Sequence, residues 1–339
     1  MQTGEPPASI TLLNMMTGYW LSQGLYVAAK LGVADHLANG PLTCAELATK
    51  TRTHVQSLHR LLRALASSGV FAETTPGHFA LTPLAALLRD GTPGSMRALA
   101  IMYNEEQYRA WGDLLHSVQT GAPAFDYVFG MNPFEYFSKN PGPARVFNDA
   151  MTAWTNSIAQ AVSRMYDFSA LCTVVDVGGS HGVMLAAILM SNPASRGILF
   201  DLPHVVEGAE ALLRAAAVAD RCTRVGGDFF AEALPQDGDA YILASILHDF
   251  DDERCTAILK RCRQAMPDHG KLLVVELVLP PGEEPFFGKW LDLHMLVLTP
   301  GGRERTAAEY ETLFKTAGFG LARVVPTPVG QSIMEAVPV

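Results

Sequence analysis

In the second half of the chain, short runs of apolar residues alternate with segments that carry apolar residues at helical spacing. Runs of this kind predict strands buried on both faces of a parallel sheet, with helices between them, one of them over 205–217. The predicted strands cover residues 174–176, 197–202, 223–226, 240–247 and 271–276. Two further runs, 320–325 and 332–337, predict an antiparallel hairpin at the sheet edge. Residues 166–339 are therefore expected to form an α/β domain.

The first part of the chain is predicted to be helical, with one short hairpin. Residues 10–37 carry apolar and aromatic residues at helical spacing, which favours packing against a partner chain, although an ordinary buried helix has the same pattern. Thr43 and Glu46 have the spacing of a capping box. A helix over 54–68 then leads into a hairpin that turns at 75–77, and this order is that of a winged helix.

A winged helix is also a DNA-binding fold, so a regulator with a ligand domain is a competing interpretation. The net charge of −9 and the lack of a dense Lys or Arg run on the would-be recognition helix argue against nucleic acid. Hydrophobic residues make up 49% and charged residues 17%, which leaves apolar surface for a second subunit to cover. We therefore assign residues 1–95 to a winged-helix-like dimerisation domain and expect a homodimer.

Cysteine usage and hydropathy further restrict the kind of protein that this sequence can encode. The five cysteines show no Cys-x-x-Cys pairing, so neither a disulfide framework nor a zinc site is indicated. No apolar run reaches the ~18 residues that span a bilayer, and the N-terminus lacks a signal-peptide pattern. We expect a cytoplasmic protein without membrane association.

Residues 96–165 are predicted to be a mostly helical segment, rich in aromatic and methionine side chains. Such side chains usually fill a core, but they also suit the wall of a pocket for a flat aromatic ligand. Both interpretations stay open at each position. The residues concerned include Tyr103, Trp111, Phe147, Met151 and Trp154.

The strand that ends at Asp176 is followed by a glycine-rich turn and a helix. Gly178, Gly179 and Gly182 let a ligand approach bare backbone, and the helix N-terminus can receive a carboxylate or a phosphate. The spacing is neither Gly-x-Gly-x-x-Gly nor that of a P-loop, which argues against a dinucleotide site and against a P-loop site. A tight turn without a ligand is the simpler alternative.

Polar side chains follow the other predicted strands. Asp201 ends the second strand, where a carboxylate can accept hydrogen bonds from ribose hydroxyls. Asp228 and Phe229 follow the third strand and offer an acceptor and an apolar edge for an adenine ring. Ligands in such sheets lie beyond the strand ends, so all three residues would face one crevice.

His248 follows the fourth predicted strand, where chemistry would occur. It can serve as a base, or it can cap the next helix or bridge nearby acidic residues. Glu276 ends the fifth strand and Glu304 lies in a loop before a helix, so the two carboxylates can orient the imidazole. A solvated strand end is the alternative for each glutamate.

Five ordered motifs resemble those of the plant-type small-molecule O-methyltransferases and their bacterial relatives in natural-product biosynthesis, which use S-adenosylmethionine. The motifs are Asp-Val-Gly-Gly-Ser-His-Gly at 176–182, Phe-Asp-Leu-Pro at 200–203, Gly-Asp-Phe-Phe at 227–230, Leu-His-Asp-Phe at 247–250 and Gly-Gly-Arg-Glu-Arg-Thr at 301–306. The resemblance covers essentially the whole chain. It implies a dimer with an N-terminal winged-helix dimerisation domain and a C-terminal Rossmann-like domain of seven strands.

The same resemblance implies roles for the site residues. His248 is implied to be the general base, Glu276 and Glu304 to flank it, and no metal is implied. The glycine turn is implied to bind the methionyl part of the cofactor, the carboxylate after the second strand the ribose, and the Asp-Phe pair after the third strand the adenine. The implied cofactor-binding set is Asp176, Gly178, Gly179, Ser180, Asp201, Leu202, Asp228, Phe229 and Ser245.

Three positions depart from the family pattern. Ser180 replaces a glycine that is usual in the family turn, so its backbone either stays within the limits of an L-residue or accepts strain. Phe250 stands where plant members usually have Trp, and Ala244 stands where they carry Lys. The resemblance therefore leaves the cofactor contacts at that wall open.

The residues account for methyl transfer to a phenol. A phenol has a pKa near ~10 and an imidazole near ~6.5, so proton transfer between them in water is uphill by roughly 5 kcal/mol. A bound sulfonium cation and carboxylates beside the imidazole reduce that cost. We therefore predict methylation of a phenolic hydroxyl of an aromatic natural product, with S-adenosyl-L-homocysteine as the second product.

The pocket for the methyl acceptor is predicted to draw on several segments, some of them from the partner subunit. Its candidate lining residues are Met15, Met16, Tyr103, Trp111, Phe147, Met151, Trp154, Asp249, His294 and Met295. A polycyclic or phenazine-like phenol and a simple benzoate both fit this description. Relatives that bind the cofactor for hydroxylation, decarboxylation or pericyclic chemistry are the alternative, and His248 with its two glutamates argues for methyl transfer.

Overall fold

A computed structural model describes residues 6–236 and 238–339 of this protein. The chain forms two compact units. The first unit runs to Arg109 and includes Phe137–Ala153, and the second comprises Ala110–Tyr136 and Trp154–Val339. The segment predicted as a linker over 96–165 thus contributes to both units.

The first unit combines helices with a small antiparallel sheet of order β1-β3-β2. Its strands are β1 (Leu42–Thr43), β2 (Phe71–Thr75) and β3 (His78–Leu81). Its helices before Arg109 are Ala8–Met16, Gly18–Lys30, Val33–His36, Cys44–Thr51, Val55–Ser67, Pro83–Ala86 and Arg97–Met102. The helix, helix and hairpin expected for a winged helix are present.

Local sequence signals explain these elements. Thr43 accepts a hydrogen bond from the Glu46 amide, and the Glu46 carboxylate accepts one from the Thr43 amide, so the capping box is formed. The Val55–Ser67 helix buries Leu58, Leu62 and Leu65, which recur at the helical period. These side chains belong to the core of the first unit.

None of the residues in the first helix, Ala8–Met16, is buried. Large apolar side chains remain exposed along it and along the helix that follows. They are Ile10, Leu12, Leu13, Met15, Met16, Tyr19, Trp20 and Leu21. An apolar surface of this kind marks an interaction site.

The segment predicted to be mostly helical is helical in the structure. Its helices are Glu106–Trp111, Leu114–Thr120, Ala124–Phe129, Pro133–Lys139 and Pro141–Met165. Within the second unit, Ala124 and Phe125 pack against Val297 and Leu298.

The second unit is built on a seven-stranded sheet of order β11-β12-β8-β7-β4-β5-β6. The strands are β4 (Thr173–Val177), β5 (Arg196–Asp201), β6 (Cys222–Gly226), β7 (Ala240–Ala244), β8 (Lys271–Glu276), β11 (Phe319–Pro326) and β12 (Ser332–Pro338). A separate parallel pair comprises β9 (Val278–Leu279) and β10 (Arg305–Thr306). The helices are Val183–Ser191, Pro203–Glu207, Glu210–Ala215, Asp252–Ala265, Phe287–Leu298 and Ala307–Thr316, with short 3-10 turns at Ala219–Arg221 and Leu247–Asp249.

Strands β4 to β8 are parallel, and β12 and β11 close one edge as the expected antiparallel hairpin. From β4 the chain first builds outward through β5 and β6, and then returns to place β7 on the other side of β4. The strand order therefore reverses between β4 and β7, and ligands of such sheets bind beyond the carboxyl ends of the strands at that point.

Two elements differ from the sequence pattern. Strand β7 ends at Ala244 rather than at residue 247, because Ser245 adopts a left-handed backbone with φ 55° and the next two amides bind a carboxylate instead of a strand. The helix expected over 205–217 is two short helices with Gly208 between them.

The five cysteines are all free. Throughout 6–236 and 238–339, no helix has both the length and the hydrophobicity needed to cross a membrane.

Candidate active site

The glycine turn follows β4 and lies against the end of β7. Gly178 has φ 72°, and a Cβ atom at this position would lie 2.7 Å from Ile246 Cδ1. Ser180, the departure from the family turn, also adopts a left-handed backbone, with φ 53°. Its exposed side chain needs no space in the core, so the turn accepts a strain that costs an L-residue about 1 kcal/mol.

Asp201 is the carboxylate that holds the turn. One oxygen, Oδ2, accepts a hydrogen bond from the Ser180 amide at 2.8 Å, and Oδ1 accepts one from the Leu202 amide at 2.7 Å. The Gly178 amide donates to the carbonyl of Phe200 at 2.8 Å. The predicted ribose ligand and the predicted methionyl turn are therefore adjacent.

Asp176 lies beneath the turn and is only 1% exposed. Its Oδ2 atom is buried and has no hydrogen-bond partner among the described residues. Burial, with a further contribution from the charge of Asp201, raises the pKa of this carboxyl to about 7. A buried acceptor without a donor suits a ligand that brings an N–H or O–H group.

The predicted adenine side is an aromatic cluster after β6. Asp228 Oδ1 accepts a hydrogen bond from the Phe230 amide at 2.8 Å, which fixes the turn. Phe229, Phe230 and Phe250 meet edge to face, with ring centroids 4.8 to 6.1 Å apart. Phe229 also comes within 3.5 Å of the Cβ position at Gly178. Phe250, which stands where plant members of the family usually have Trp, thus belongs to this cluster.

These features fit S-adenosylmethionine. The turn excludes a side chain at Gly178, Asp176 offers an unpaired buried acceptor, and a carboxylate and an apolar ring stand at the ends of β5 and β6. Ser245 completes this edge of the sheet, and its amide donates to the carbonyl of Val275 at 3.0 Å.

His248 lies beyond β7 on a short 3-10 turn, next to two buried glutamates. Its Nδ1 atom is 2.8 Å from Glu304 Oε1 and 3.8 Å from Glu276 Oε2. Because a carboxylate accepts, Nδ1 carries the proton in the hydrogen bond to Glu304. Asp249 Oδ1 lies 3.8 Å from Nε2 on the other side of the ring. The structure thus brings the predicted catalytic residues together.

The carboxylates control the charge of the imidazole. Burial alone lowers the pKa of His248, but attraction to Glu276, Asp249 and Glu304 outweighs burial and raises that pKa to about 10. Burial raises the pKa of Glu276 to about 7, with His248 opposing this shift. Burial likewise raises the pKa of Asp249.

The backbone around His248 is held from two sides. Glu276 Oε1 accepts hydrogen bonds from the amides of Ile246 and Leu247, each at 2.9 Å. The fully buried guanidinium of Arg305 donates to the carbonyls of Leu247 and Phe250 at 3.0 and 2.8 Å.

Sequence reasoning missed the role of Arg305. The same guanidinium bonds Asp252 Oδ1 through Nε and Nη2, at the start of the next helix. The only signal was its place in the last family motif, one residue after Glu304.

Of the five predicted pocket residues in the second unit, Asp249 lies next to His248, and the other four lie on or beside the Phe287–Leu298 helix. Trp111 Nε1 donates to His294 Nδ1 at 2.8 Å, and the two rings stack with centroids 6.1 Å apart. Met295 is buried next to His294. Trp154 packs against Phe287 with ring centroids 6.2 Å apart.

The same helix is joined to the catalytic group. Asp292 Oδ1 accepts a hydrogen bond from the Glu304 amide at 2.9 Å. His294 is 8% exposed, and burial, together with the charge of His248, lowers its pKa to about 4. His294 therefore stays neutral at physiological pH.

Five predicted pocket residues belong to the first unit. Met15 is 72% exposed on the first helix, where Met16 is exposed too, whereas Tyr103 and Met151 are half-buried. Phe147 stacks on Phe137 with centroids 4.6 Å apart. Their role in a pocket stays a prediction.

Comparison with known proteins identifies the family. Residues 111–320 match the O-methyltransferase domain family, and residues 13–90 match the O-methyltransferase dimerisation domain family. The chain is 59% identical over 338 residues to the phenazine O-methyltransferase PhzM of Lysobacter antibioticus, covering 100% of this chain and 98% of that protein. It is 42% identical over 336 residues to 3-amino-4-hydroxybenzoate 4-O-methyltransferase of Streptomyces cremeus, covering 99% and 92% of the two chains.

Comparison with solved structures agrees with the sequence matches. The structure of CalO1, a methyltransferase in calicheamicin biosynthesis in its SAH-bound form, matches with a TM-score of 0.89 at 36% identity, covering 100% of both chains. The predicted Rossmann-like fold with an N-terminal helical dimerisation domain is confirmed. The chain therefore belongs to the O-methyltransferase family and is an S-adenosylmethionine-dependent methyltransferase.

Proposed function

We propose that this enzyme methylates a phenolic hydroxyl of an aromatic natural product, with His248 as the general base. The observation that carries the proposal is the 2.8 Å hydrogen bond from His248 Nδ1 to the buried Glu304. This bond fixes the ring and leaves Nε2 as the nitrogen that exchanges a proton with the acceptor hydroxyl. Glu304 and Glu276 stabilise the imidazolium that results.

The protonation energies support this role. A phenol has a pKa near ~10, and the surrounding carboxylates raise the pKa of His248 to about 10. Proton transfer from hydroxyl to imidazole is then close to balanced, instead of uphill by the roughly 5 kcal/mol expected for an unperturbed imidazole. The remaining task of the protein is to hold the nucleophilic oxygen in line for attack on the methyl group.

The turn and strand ends would hold the cofactor. Asp176 and the turn at Gly178, Gly179 and Ser180 would receive its methionyl part. The ribose would lie at Asp201 and Leu202, and the adenine at Asp228 and Phe229, with Ser245 at the wall. When bound, S-adenosylmethionine supplies a methyl group on a positively charged sulfur, and this charge also favours the neutral form of a nearby imidazole.

The hydrogen bonds within the catalytic group favour a metal-free reaction. His248, Glu276 and Glu304 place ligand atoms within 4.8 Å of one another, a grouping that can also hold a metal ion. Here the imidazole already donates to Glu304, and Glu276 already accepts two amides. We expect turnover to be unchanged by EDTA.

We further propose that the enzyme is a homodimer through its N-terminal domain. No residue of its first helix is buried within the described chain, and residues 13–90 match the dimerisation domain of the family. Charged substitutions at two exposed positions of that helix, Leu12→Glu with Met16→Glu, should shift the mass measured by light scattering from dimer to monomer.

The decisive experiment for the function is transfer of label. The protein is incubated with methyl-labelled S-adenosylmethionine and a panel that includes a hydroxyphenazine and an amino-hydroxybenzoate, compounds suggested by the names of the two relatives. Label on a phenolic oxygen supports the proposal. Label on nitrogen, or a cofactor that binds without transferring label to any acceptor, overturns it in favour of other chemistry on the same fold.

A further inference from the structure

The two glutamates beside His248 are held in different ways. Glu276 is fixed through its own side chain, because its Oε1 atom accepts the amides of Ile246 and Leu247. Among the described residues, the buried carboxylate of Glu304 has one hydrogen bond, from His248 Nδ1 at 2.8 Å, and its Oε2 atom has no partner. The imidazole that Glu304 orients cannot also be its anchor, so the position of this carboxylate must come from its backbone.

The backbone of Glu304 is held by a carboxylate on another helix. The Glu304 amide donates a hydrogen bond of 2.9 Å to Oδ1 of Asp292, a half-buried residue of the Phe287–Leu298 helix. Glu304 is only 2% exposed, so an amide that lost this acceptor would have little access to water. A buried amide without a partner is unfavourable, and the backbone would shift to find one. Asp292 therefore fixes the Glu304 backbone.

The residues before Glu304 join the same loop to the base. The Arg303 amide donates to the carbonyl of His248 at 2.8 Å. A Cβ atom at Gly302 would lie 2.7 Å from that carbonyl oxygen, so the absence of a side chain lets the loop approach this closely. The loop thus contacts both the backbone and the ring of His248, while Asp292 joins the loop to the Phe287–Leu298 helix.

We propose that Asp292 is a positioning residue for the general base. The inference rests on the proposed function, in which His248 accepts the proton. By accepting the Glu304 amide, Asp292 sets the place of the Glu304 carboxylate, and that carboxylate sets the orientation of the imidazole. Asp292 thus acts on His248 only through Glu304.

The hydrogen bond of Asp292, and not its charge, should produce this effect. Burial raises the pKa of Asp292, and the charge of Glu304 raises it further, whereas the bond from the Glu304 amide lowers it. The two carboxylates therefore repel each other, and the amide bond offsets this repulsion. An amide side chain in place of the carboxylate keeps the acceptor oxygen and removes the repulsion.

Two substitutions test the role of the hydrogen bond, with the phenol that accepts label in the transfer experiment as substrate. Asp292→Ala removes the acceptor, so kcat should fall by about 10-fold because the imidazole is no longer held in the productive orientation. Asp292→Asn keeps the acceptor, so kcat should stay within about twofold of the wild type. In both variants, KM for the phenol and the dissociation constant for S-adenosylmethionine should also change by less than about twofold.

The matched control is Lys289→Ala on the same helix. Lys289 Nζ donates to the carbonyls of Gly282 and Glu284 at 2.6 and 2.8 Å, so this variant also removes bonds between the helix and a loop, but not the loop of Glu304. Its kcat should equal that of the wild type. Thermal unfolding is recorded for every variant. If Asp292→Ala does not unfold cooperatively, Asp292→Ser replaces it, and its shorter side chain should give a smaller fall in kcat.

Three kinetic results would overturn the proposal. The first is an unchanged kcat in Asp292→Ala, or in Asp292→Ser where that variant replaces it. The second is a raised KM with kcat unchanged, which would show that Asp292 only shapes the helix on the side of the methyl acceptor. The third is an equal loss of kcat in Asp292→Ala and Asp292→Asn, which would assign the effect to charge.

A proton resonance separates this proposal from the proposed function. The His248 Nδ1–H proton bonded to Glu304 should give a low-field signal in the wild type, in Asp292→Asn and in Lys289→Ala. The signal should shift or disappear in Asp292→Ala. The measurement needs no methyl acceptor, so it still decides the role of Asp292 if no phenol accepts label and the proposed function fails. An unchanged signal in Asp292→Ala would overturn the positioning role even if a phenol is methylated.

Discussion

The two sides of the candidate active site are held in place by different means. On the base side, His248 stands on a segment fixed by buried charged groups, with Glu276 bonding the amides and Arg305 the carbonyls. On the cofactor side, the turn at Gly178 is set by backbone conformation and by the lack of a side chain. The base side thus depends on charge, whereas the turn depends on backbone conformation and space, in addition to the hydrogen bond that Asp201 accepts from the Ser180 amide.

This difference predicts which property of the enzyme a substitution on each side should change. Substitutions on the base side change which groups are protonated, and should alter turnover and its dependence on pH. Substitutions in the glycine turn change the space for a ligand, and should alter affinity for the cofactor. The following predictions test this contrast, starting with the largest effect.

Removal of the base should have the largest effect on rate. His248→Gln keeps a polar side chain of similar size but cannot take a proton, so kcat should fall by about 100-fold or more. The dissociation constant for S-adenosylmethionine, measured by calorimetry, should stay nearly unchanged. His269→Gln is the control, because the His269 side chain is 75% exposed and lies away from the site. Unchanged turnover of a phenolic substrate in His248→Gln would contradict the assignment.

An added methyl group in the glycine turn should act on affinity instead. Gly178→Ala places a Cβ atom 2.7 Å from Ile246 at φ 72°, and we expect cofactor binding to weaken by about 10- to 100-fold. Gly282→Ala is a matched control, since Gly282 has φ 84° but nothing within 4 Å of the added atom. Equal losses of affinity in the two variants would show that backbone strain alone, and not the space at the turn, sets the effect.

The smallest predicted change is a shift of the pH profile. Carboxylates favour the protonated imidazole, so in the wild type kcat/KM should rise as pH increases toward the His248 pKa of about 10. Glu304→Gln keeps a hydrogen-bond acceptor and removes the charge, so the pKa of His248 should fall and the rise should move to lower pH by about one unit or more.

A neutral substitution at an exposed glutamate, Glu311→Gln, provides the baseline for that measurement. A profile in Glu304→Gln that coincides with the wild type would mean that Glu304 orients the imidazole without setting its charge.

Several parts of the site could be predicted from sequence because parallel strands place their ends at one edge. Asp176, Asp201 and Glu276 each end a short apolar run, and the structure finds all three at the carboxyl ends of their strands. The capping box at Thr43 was equally accessible, since it depends on residues three positions apart.

Other parts depend on contacts that no local pattern records. Trp111 and His294 are far apart in sequence, so their bond could not be anticipated from either segment. The apolar run after Ala244 looks like more strand, but Ser245 turns the backbone and Glu276 binds the following amides. Arg305 could not be recognised as a buried support, because an arginine in a loop motif usually faces water.

The backbone around His248 is held in place from two sides, and this affects how enzymes with new substrates can arise from this one. Since Glu276 and Arg305 fix that segment through contacts within the chain, its geometry does not rely on any particular small molecule being present. Residues that touch the acceptor can then change without disturbing the proton-accepting group. A laboratory effort to redirect this catalyst toward new aromatic compounds should therefore vary the predicted pocket residues of the Phe287–Leu298 helix, and leave Asp292 and Arg305 untouched.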